Sequence, residues 1–139
     1  MILIDTSAWV DYLRGDATPA TAAVRRLVSD TPDDLVMTEP VAMELLAGAR
    51  DDVTLARMER LTTGLPGLRV AADLDFRSAA ALYRGARRAG ETVRSMVDCL
   101  IAAIAARHGA LVVHKDQDFE ALGRLGLIDE RSYRLGQAG

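Results

Sequence analysis

The chain has one cysteine, one lysine and few aromatic residues, which make up 4% of it. Cys99 cannot close an internal disulfide, so a stapled scaffold is excluded and a reducing compartment is favoured. No apolar run approaches the roughly 20 residues that a bilayer crossing needs. The longest uncharged stretch of the apolar kind, Cys99 to Ala106, is far shorter. No basic n-region precedes Met1-Ile2-Leu3-Ile4, so a secretory leader is not expected, and the reading is a soluble, cytoplasmic protein. A glycine-rich phosphate loop and a nucleophile elbow are both missing. An excess of positive charge is missing too. With 17 Lys+Arg against 20 Asp+Glu the net charge is -3, which by itself argues against a nucleic-acid partner.

What is present is a core. Half of the 139 residues are hydrophobic and 27% are charged, which fits one globular domain over residues 1–139 and excludes a disordered or collagen-like chain. Ile2-Leu3-Ile4 reads as a buried strand that ends in Asp5-Thr6-Ser7 and a helix carrying Trp9, Tyr12 and Leu13 on one face. A second helix opens at Thr18-Pro19 with a Val24/Leu27/Val28 stripe. Leu35-Val36-Met37 is a second strand, and Thr38 is the expected cap of a helix over 39–47. Further helices are expected over 52–63, 76–88 and from the Ser95 cap to His108. Weak strands are expected at Leu68-Arg69-Val70 and Tyr133-Arg134-Leu135, a clear one at 110–113, and fraying from Gly136 to Gly139. Strands alternating with helices predict an α/β sandwich around a mainly parallel sheet.

Ligand sites in such sheets lie beyond the carboxyl ends of the strands. Asp5 and Asp116 stand at or just past two of those ends, although either would also serve as a plain helix cap. Asp98 is the sole charge from Met96 to Ala106, in a helix apolar on every side. It demands a partner unless it is protonated, and a capping box with Ser95 explains its position equally well. Glu44 shares a helix face with Val41, Leu45 and Gly48. Four acids brought together would repel one another, and a hard divalent cation with oxygen ligands resolves that repulsion. His108 and His114 are the only histidines, too few and too poorly placed for metal-free acid–base chemistry, and Cys99 reads as inert.

Four stretches resemble, in order, the motifs of PIN-domain proteins, and more narrowly the VapC toxins of bacterial type II toxin–antitoxin modules. They are Ile4-Asp5-Thr6-Ser7-Ala8-Trp9, the Glu44 helix from Thr38 to Leu45, Asp98-Cys99-Leu100-Ile101-Ala102-Ala103, and His114-Lys115-Asp116-Gln117-Asp118-Phe119. The resemblance implies a three-layer fold with an acidic pocket for Mg²⁺ or Mn²⁺ formed by Asp5, Glu44, Asp98 and Asp116. It implies Asp118 as a further ligand and Thr6 and Ser7 as supporting hydroxyls. His114 departs from the pattern, since many members carry Thr or Ser there.

The activity implied is endoribonuclease cleavage of a structured RNA, tRNA or a ribosomal loop. Arg94 and Lys115 are then candidate phosphate contacts. The partners implied are a VapB-type antitoxin and a second toxin copy in a homodimer. A non-catalytic binding module on the same fold is the competing expectation. Setting the four site acids aside turns the formal -3 into +1, which weakens the objection to an RNA partner.

Overall fold

The computed structural model describes residues 1–135, so the fraying expected from Gly136 to Gly139 lies outside the described residues. Five strands form one parallel sheet in the order β3-β2-β1-β4-β5. They are β1 (Ile2–Ile4), β2 (Leu35–Thr38), β3 (Gly67–Leu68), β4 (Leu111–His114) and β5 (Glu130–Ser132). The helices are α1 (Thr6–Arg14), α2 (Pro19–Asp30), α3 (Glu39–Ala47), α4 (Asp52–Gly64), α5 (Asp75–Arg88), α6 (Met96–His108) and α7 (Gln117–Arg124). The α/β sandwich read from the sequence is therefore the observed architecture.

β1 is the central strand and has neighbours on both sides, which is why three consecutive apolar residues suffice to place it. From β1 the chain builds outward through β2 and β3, then crosses to the other side for β4 and β5. The direction of winding reverses between β1 and β4, and such a switch point leaves a crevice at the carboxyl edge. Asp5 and Asp116 flank that crevice. The core beneath is filled by Leu3, Ile4, Trp9, Val24, Val112 and Phe119, all essentially solvent-free. Trp9 and Val24 are thus core residues, so the expected stripes on the first two helices face inward. Helix α6 is buried along Cys99 and Ile101 to Ala105, as its unbroken apolar sequence requires.

Three expectations are corrected. The last strand lies at Glu130–Ser132 rather than 133–135, and its register on β4 is fixed by polar contacts: His114 Nε2 to Glu130 Oε2 at 2.7 Å, and Tyr133 N–H to the His114 carbonyl at 2.8 Å. The third strand stops at Leu68, because side chains take the backbone groups beyond it. Arg107 donates to the Arg69 carbonyl, and Glu39 accepts from Val70 N–H. Thr38 stands before α3 but does not cap it through its side chain. Its hydroxyl donates to the Leu68 carbonyl at 2.6 Å, and Pro40 has removed an N–H that such a cap would serve.

Asp75, 1% exposed, opens α5 and accepts from Arg107 Nε and Nη2, each at 2.8 Å, and from Ala71 N–H at 2.7 Å. The Arg107 guanidinium holds the Asp75 carboxyl below its usual range. Arg107→Ala strands that charge with one backbone donor and is expected to cost about 3 kcal/mol in urea unfolding at neutral pH. Because the folded-state value is depressed, the pair stabilises above about pH 4, and the cost should shrink as the solution is acidified through the folded value. A change under about 0.5 kcal/mol at neutral pH would contradict this role.

Candidate metal centre

Three helix N-termini meet the crevice, and each brings an aspartate. Asp5 caps α1, its Oδ2 accepting from Ser7 N–H at 3.0 Å and from the Ser7 hydroxyl at 2.7 Å. Asp116 caps α7, its Oδ1 accepting from Asp118 N–H at 2.9 Å. Asp98 sits in the first turn of α6. The capping roles and the shared pocket coexist, since each cap bond occupies one carboxylate oxygen. The positive ends of the three helices also favour anionic side chains there.

The Ser95–Asp98 capping box is only half made. Ser95 Oγ accepts from Asp98 N–H at 3.3 Å, but Ser95 N–H donates to Asp118 Oδ2 rather than to Asp98. Asp118 also accepts from Arg94 N–H, both bonds at 3.0 Å, and so ties the loop before α6 to α7. The Asp98 carboxyl is released from capping and turned into the pocket.

Carboxylate oxygens of Asp98, Asp116 and Asp118 lie within 4.8 Å of one another. Asp5 and Glu44 stand close enough for their charges to act on one another and on this group. Burial, then a hydrogen bond to Asp118, then the charges of Asp5, Asp116 and Asp118 push the Asp98 carboxyl up to about 9. Burial also raises Asp5, against the two bonds from Ser7 that favour its ionised form. Burial raises Glu44 as well, against a 3.0 Å bond from the Thr6 hydroxyl.

The residues fit a hard cation on a further count. Asp5 Oδ1 is buried and has no hydrogen-bond partner among the described residues. A carboxylate oxygen left bare at this depth costs several kcal/mol, and a divalent ion with oxygen ligands removes that cost.

The neighbouring side chains hold the acids in place. The Ser7 hydroxyl accepts from Lys115 N–H at 3.1 Å, joining the ends of β1 and β4 across the switch point. His114, fully buried, accepts at Nδ1 from Asp116 N–H at 3.0 Å, which leaves the proton of a neutral ring on Nε2 for Glu130. It braces Asp116 through the backbone, a strand-end histidine with both nitrogens satisfied. His108 lies ten residues down α6 from Asp98, roughly 15 Å away along the helix axis. Cys99 is buried, and burial followed by the Asp118 and Asp98 charges pushes its thiol up to about 11, unsuited to nucleophilic attack.

The two candidate phosphate contacts differ. Arg94 is exposed at the pocket rim, whereas the Lys115 ammonium is engaged 2.8 Å from buried Asp11. One rim residue escapes the sequence reading. Arg134 lines the same pocket, its guanidinium clamped on Glu120 at 2.8 Å while the Ser132 hydroxyl donates to that carboxylate at 2.7 Å. No local signal in the sequence gives it away, since Arg124, four residues on from buried Glu120, is the nearer cation and is instead engaged by Glu91 at 2.8 Å.

A PIN-domain family profile matches residues 2–125. The chain is 55% identical to ribonuclease VapC11 of Mycobacterium tuberculosis over 96% of its own length and 100% of that protein. Among solved structures, a FitAB complex bound to an IR36 DNA fragment is similar with TM-score 0.75 and 22% identity, both chains covered in full. VapC20 of Mycobacterium tuberculosis, described as a sarcin–ricin loop cleaving toxin, is similar with TM-score 0.66 and 25% identity, over 88% of this chain and 95% of that one. A parallel sheet with its acids gathered at the switch point, a profile match over most of the chain and a relative at this identity agree: the chain belongs to the PIN-domain family and, within it, to the VapC ribonucleases.

Proposed function

We propose that this ribonuclease is the toxin of a type II module and cuts structured RNA, a tRNA or a ribosomal loop, with Mg²⁺ or Mn²⁺ bound by Asp5, Glu44, Asp98 and Asp116. The observation that carries the reading is the packing of Asp98, Asp116 and Asp118 within 4.8 Å, with no cationic side chain paired to any of them among the described residues. A bound divalent cation supplies a water of lowered pKa and stabilises charge developing on the phosphoryl oxygens. Asp98, released from capping, and Asp116, with one oxygen free of it, present the ligand face, and Asp118 fixes the loop that carries Ser95. Thr6 orients Glu44 and Ser7 orients Asp5, so both acids are held before substrate arrives. Several solved structures of this fold are VapBC complexes, which supports a VapB-type antitoxin as partner, and a homodimer belongs to the same proposal.

The test is cleavage of RNA by purified protein with Mg²⁺ or Mn²⁺ and with excess chelator. Cutting should require the metal, should leave no 2′,3′-cyclic phosphate and should persist when the 2′-hydroxyl at the cut is methylated. Cutting that ignores chelator sinks the proposal. RNA that is bound yet intact at high protein concentration with metal present would favour a non-catalytic module instead.

Ser7→Ala removes the 2.7 Å bond to Asp5 and the acceptor of Lys115 N–H. The cap survives through the Ser7 backbone N–H, so stability should fall by only about 1 kcal/mol. Turnover should fall about 10- to 100-fold, the usual effect of losing a group that orients a metal ligand. Unchanged turnover would show that Asp5 needs no such brace.

A further inference from the structure

Next to the acid pocket lies a second concavity of about 470 Å³, between α1, α3 and the start of α4. Its floor is apolar, made by Leu13, Leu45 and Met58, and its rim carries Arg14, Arg50 and Arg57. All three arginines are exposed, and none makes an ion pair among the described residues. Asp51, the acid on this rim, is spent on capping α4, accepting from Thr54 N–H at 2.7 Å. The wall shared with the metal centre is Glu44.

We propose that this groove is a nucleotide subsite that holds the single-stranded RNA segment next to the phosphate being cut. The inference rests on the ribonuclease reading above and adds to it where the strand runs. A strand whose phosphate meets the acids must continue over adjoining surface, and through Glu44 the adjoining surface on this side is the groove. Guanidinium forks suit phosphate oxygens, and their flat faces also stack on unpaired bases. The apolar floor accepts the face of a base or a ribose edge, and the volume lies within the about 300–1,000 Å³ range of small-ligand sites. The other rim of the acid pocket offers one exposed arginine without an ion pair among the described residues, Arg94, against three here. Lys115 is engaged by Asp11 and Arg134 by Glu120, so their positive charges are already compensated.

The test combines Arg14→Gln, Arg50→Gln and Arg57→Gln and measures anisotropy of labelled bulk transfer RNA, in Asp98→Asn protein so that the RNA stays intact. Three lost phosphate contacts should weaken binding at least about tenfold and flatten the dependence of log affinity on log salt by about 2. The matching three Arg→Lys changes should restore the salt slope. With Asp98 native, the glutamine variant should cut the same RNA with raised KM and kcat within about twofold. Thermal melting should be unaltered, because all three side chains are exposed, and the single variants divide the effect if the triple one is impaired.

Unchanged affinity and slope, or no measurable RNA binding by the parent, overturns the subsite. So does a kcat loss at constant KM, or a variant that keeps RNA and loses only the antitoxin, which would give the groove to a protein. If no protein cuts RNA but the slope responds as described, the subsite stands and the catalytic reading fails. If cutting is intact and the slope unmoved, the reverse holds.

Discussion

Asp98→Asn is expected to abolish RNA cleavage, by at least about 10³-fold in kcat, while raising the melting temperature of the metal-free protein. On the proposed function, the activity loss follows from removing a ligand oxygen from a cluster whose bound cation would supply several kcal/mol to the transition state. The stability gain has a separate origin. Burial and three neighbouring acids, Asp5, Asp116 and Asp118, push the Asp98 carboxyl up to about 9, so the metal-free chain must take up a proton to fold at neutral pH. Asparagine needs no proton, fills the same space and still offers Asp118 a donor. A gain of about 1–2 kcal/mol, or roughly 3–6 °C, is expected, the usual result of relieving an active site that is costly to assemble. Differential scanning calorimetry in chelator and single-turnover cleavage in metal check the two halves. A variant that still cuts, or melts lower than the parent, would refute the account.

The second large effect is a reversal of pH dependence by metal. Asp98, Asp5 and Glu44 are all raised in the folded state. Between the unfolded carboxylate range near 4 and the Asp98 value near 9, the native protein holds more protons than the unfolded chain. Unfolding then releases protons, and stability falls as pH rises through that window. Metal binding requires the ionised acids, so it strengthens over the same range. In chelator the melting temperature should drop from about pH 5 to about pH 8.5; with Mg²⁺ or Mn²⁺ at 100 times its dissociation constant, about 2.7 kcal/mol is restored at the alkaline end. Melting curves whose pH slope is the same with and without metal would refute this, and so would a metal-free protein most stable at the alkaline end.

The parts legible in the sequence are those where one physical demand dominates. Ile2-Leu3-Ile4 and Leu111–Val113 are apolar enough to be strands in any context, and Asp98 stands out because nothing around it can neutralise it. Edge structure was harder, because it is set by side chains distant in the chain. Glu130–Ser132 is polar and pairs only because His114 and the β4 backbone meet it, while Tyr133 and Leu135, better strand formers, lie beyond. The partners of the site were hidden for the same reason. Nothing near Lys115 in sequence announces Asp11, and nothing near Arg134 announces its place beside Asp98. Asp118 was placed among the acids by motif alone, and its second role, joining the Arg94–Ser95 loop to α7, is visible only in three dimensions.

The central position of β1 has a bearing on biosynthesis. Its β4 partner and the Lys115 amide that binds Ser7 are encoded more than a hundred residues later. At about 5–20 residues per second, a ribosome reaches Asp116 and Asp118 roughly 5–20 s after Asp5. Throughout that interval one edge of the first strand is unpaired and the acid set is incomplete. A chain with this sheet order therefore cannot assemble its pocket until β4 and the residues through Asp118 have followed Asp5 out of the ribosome.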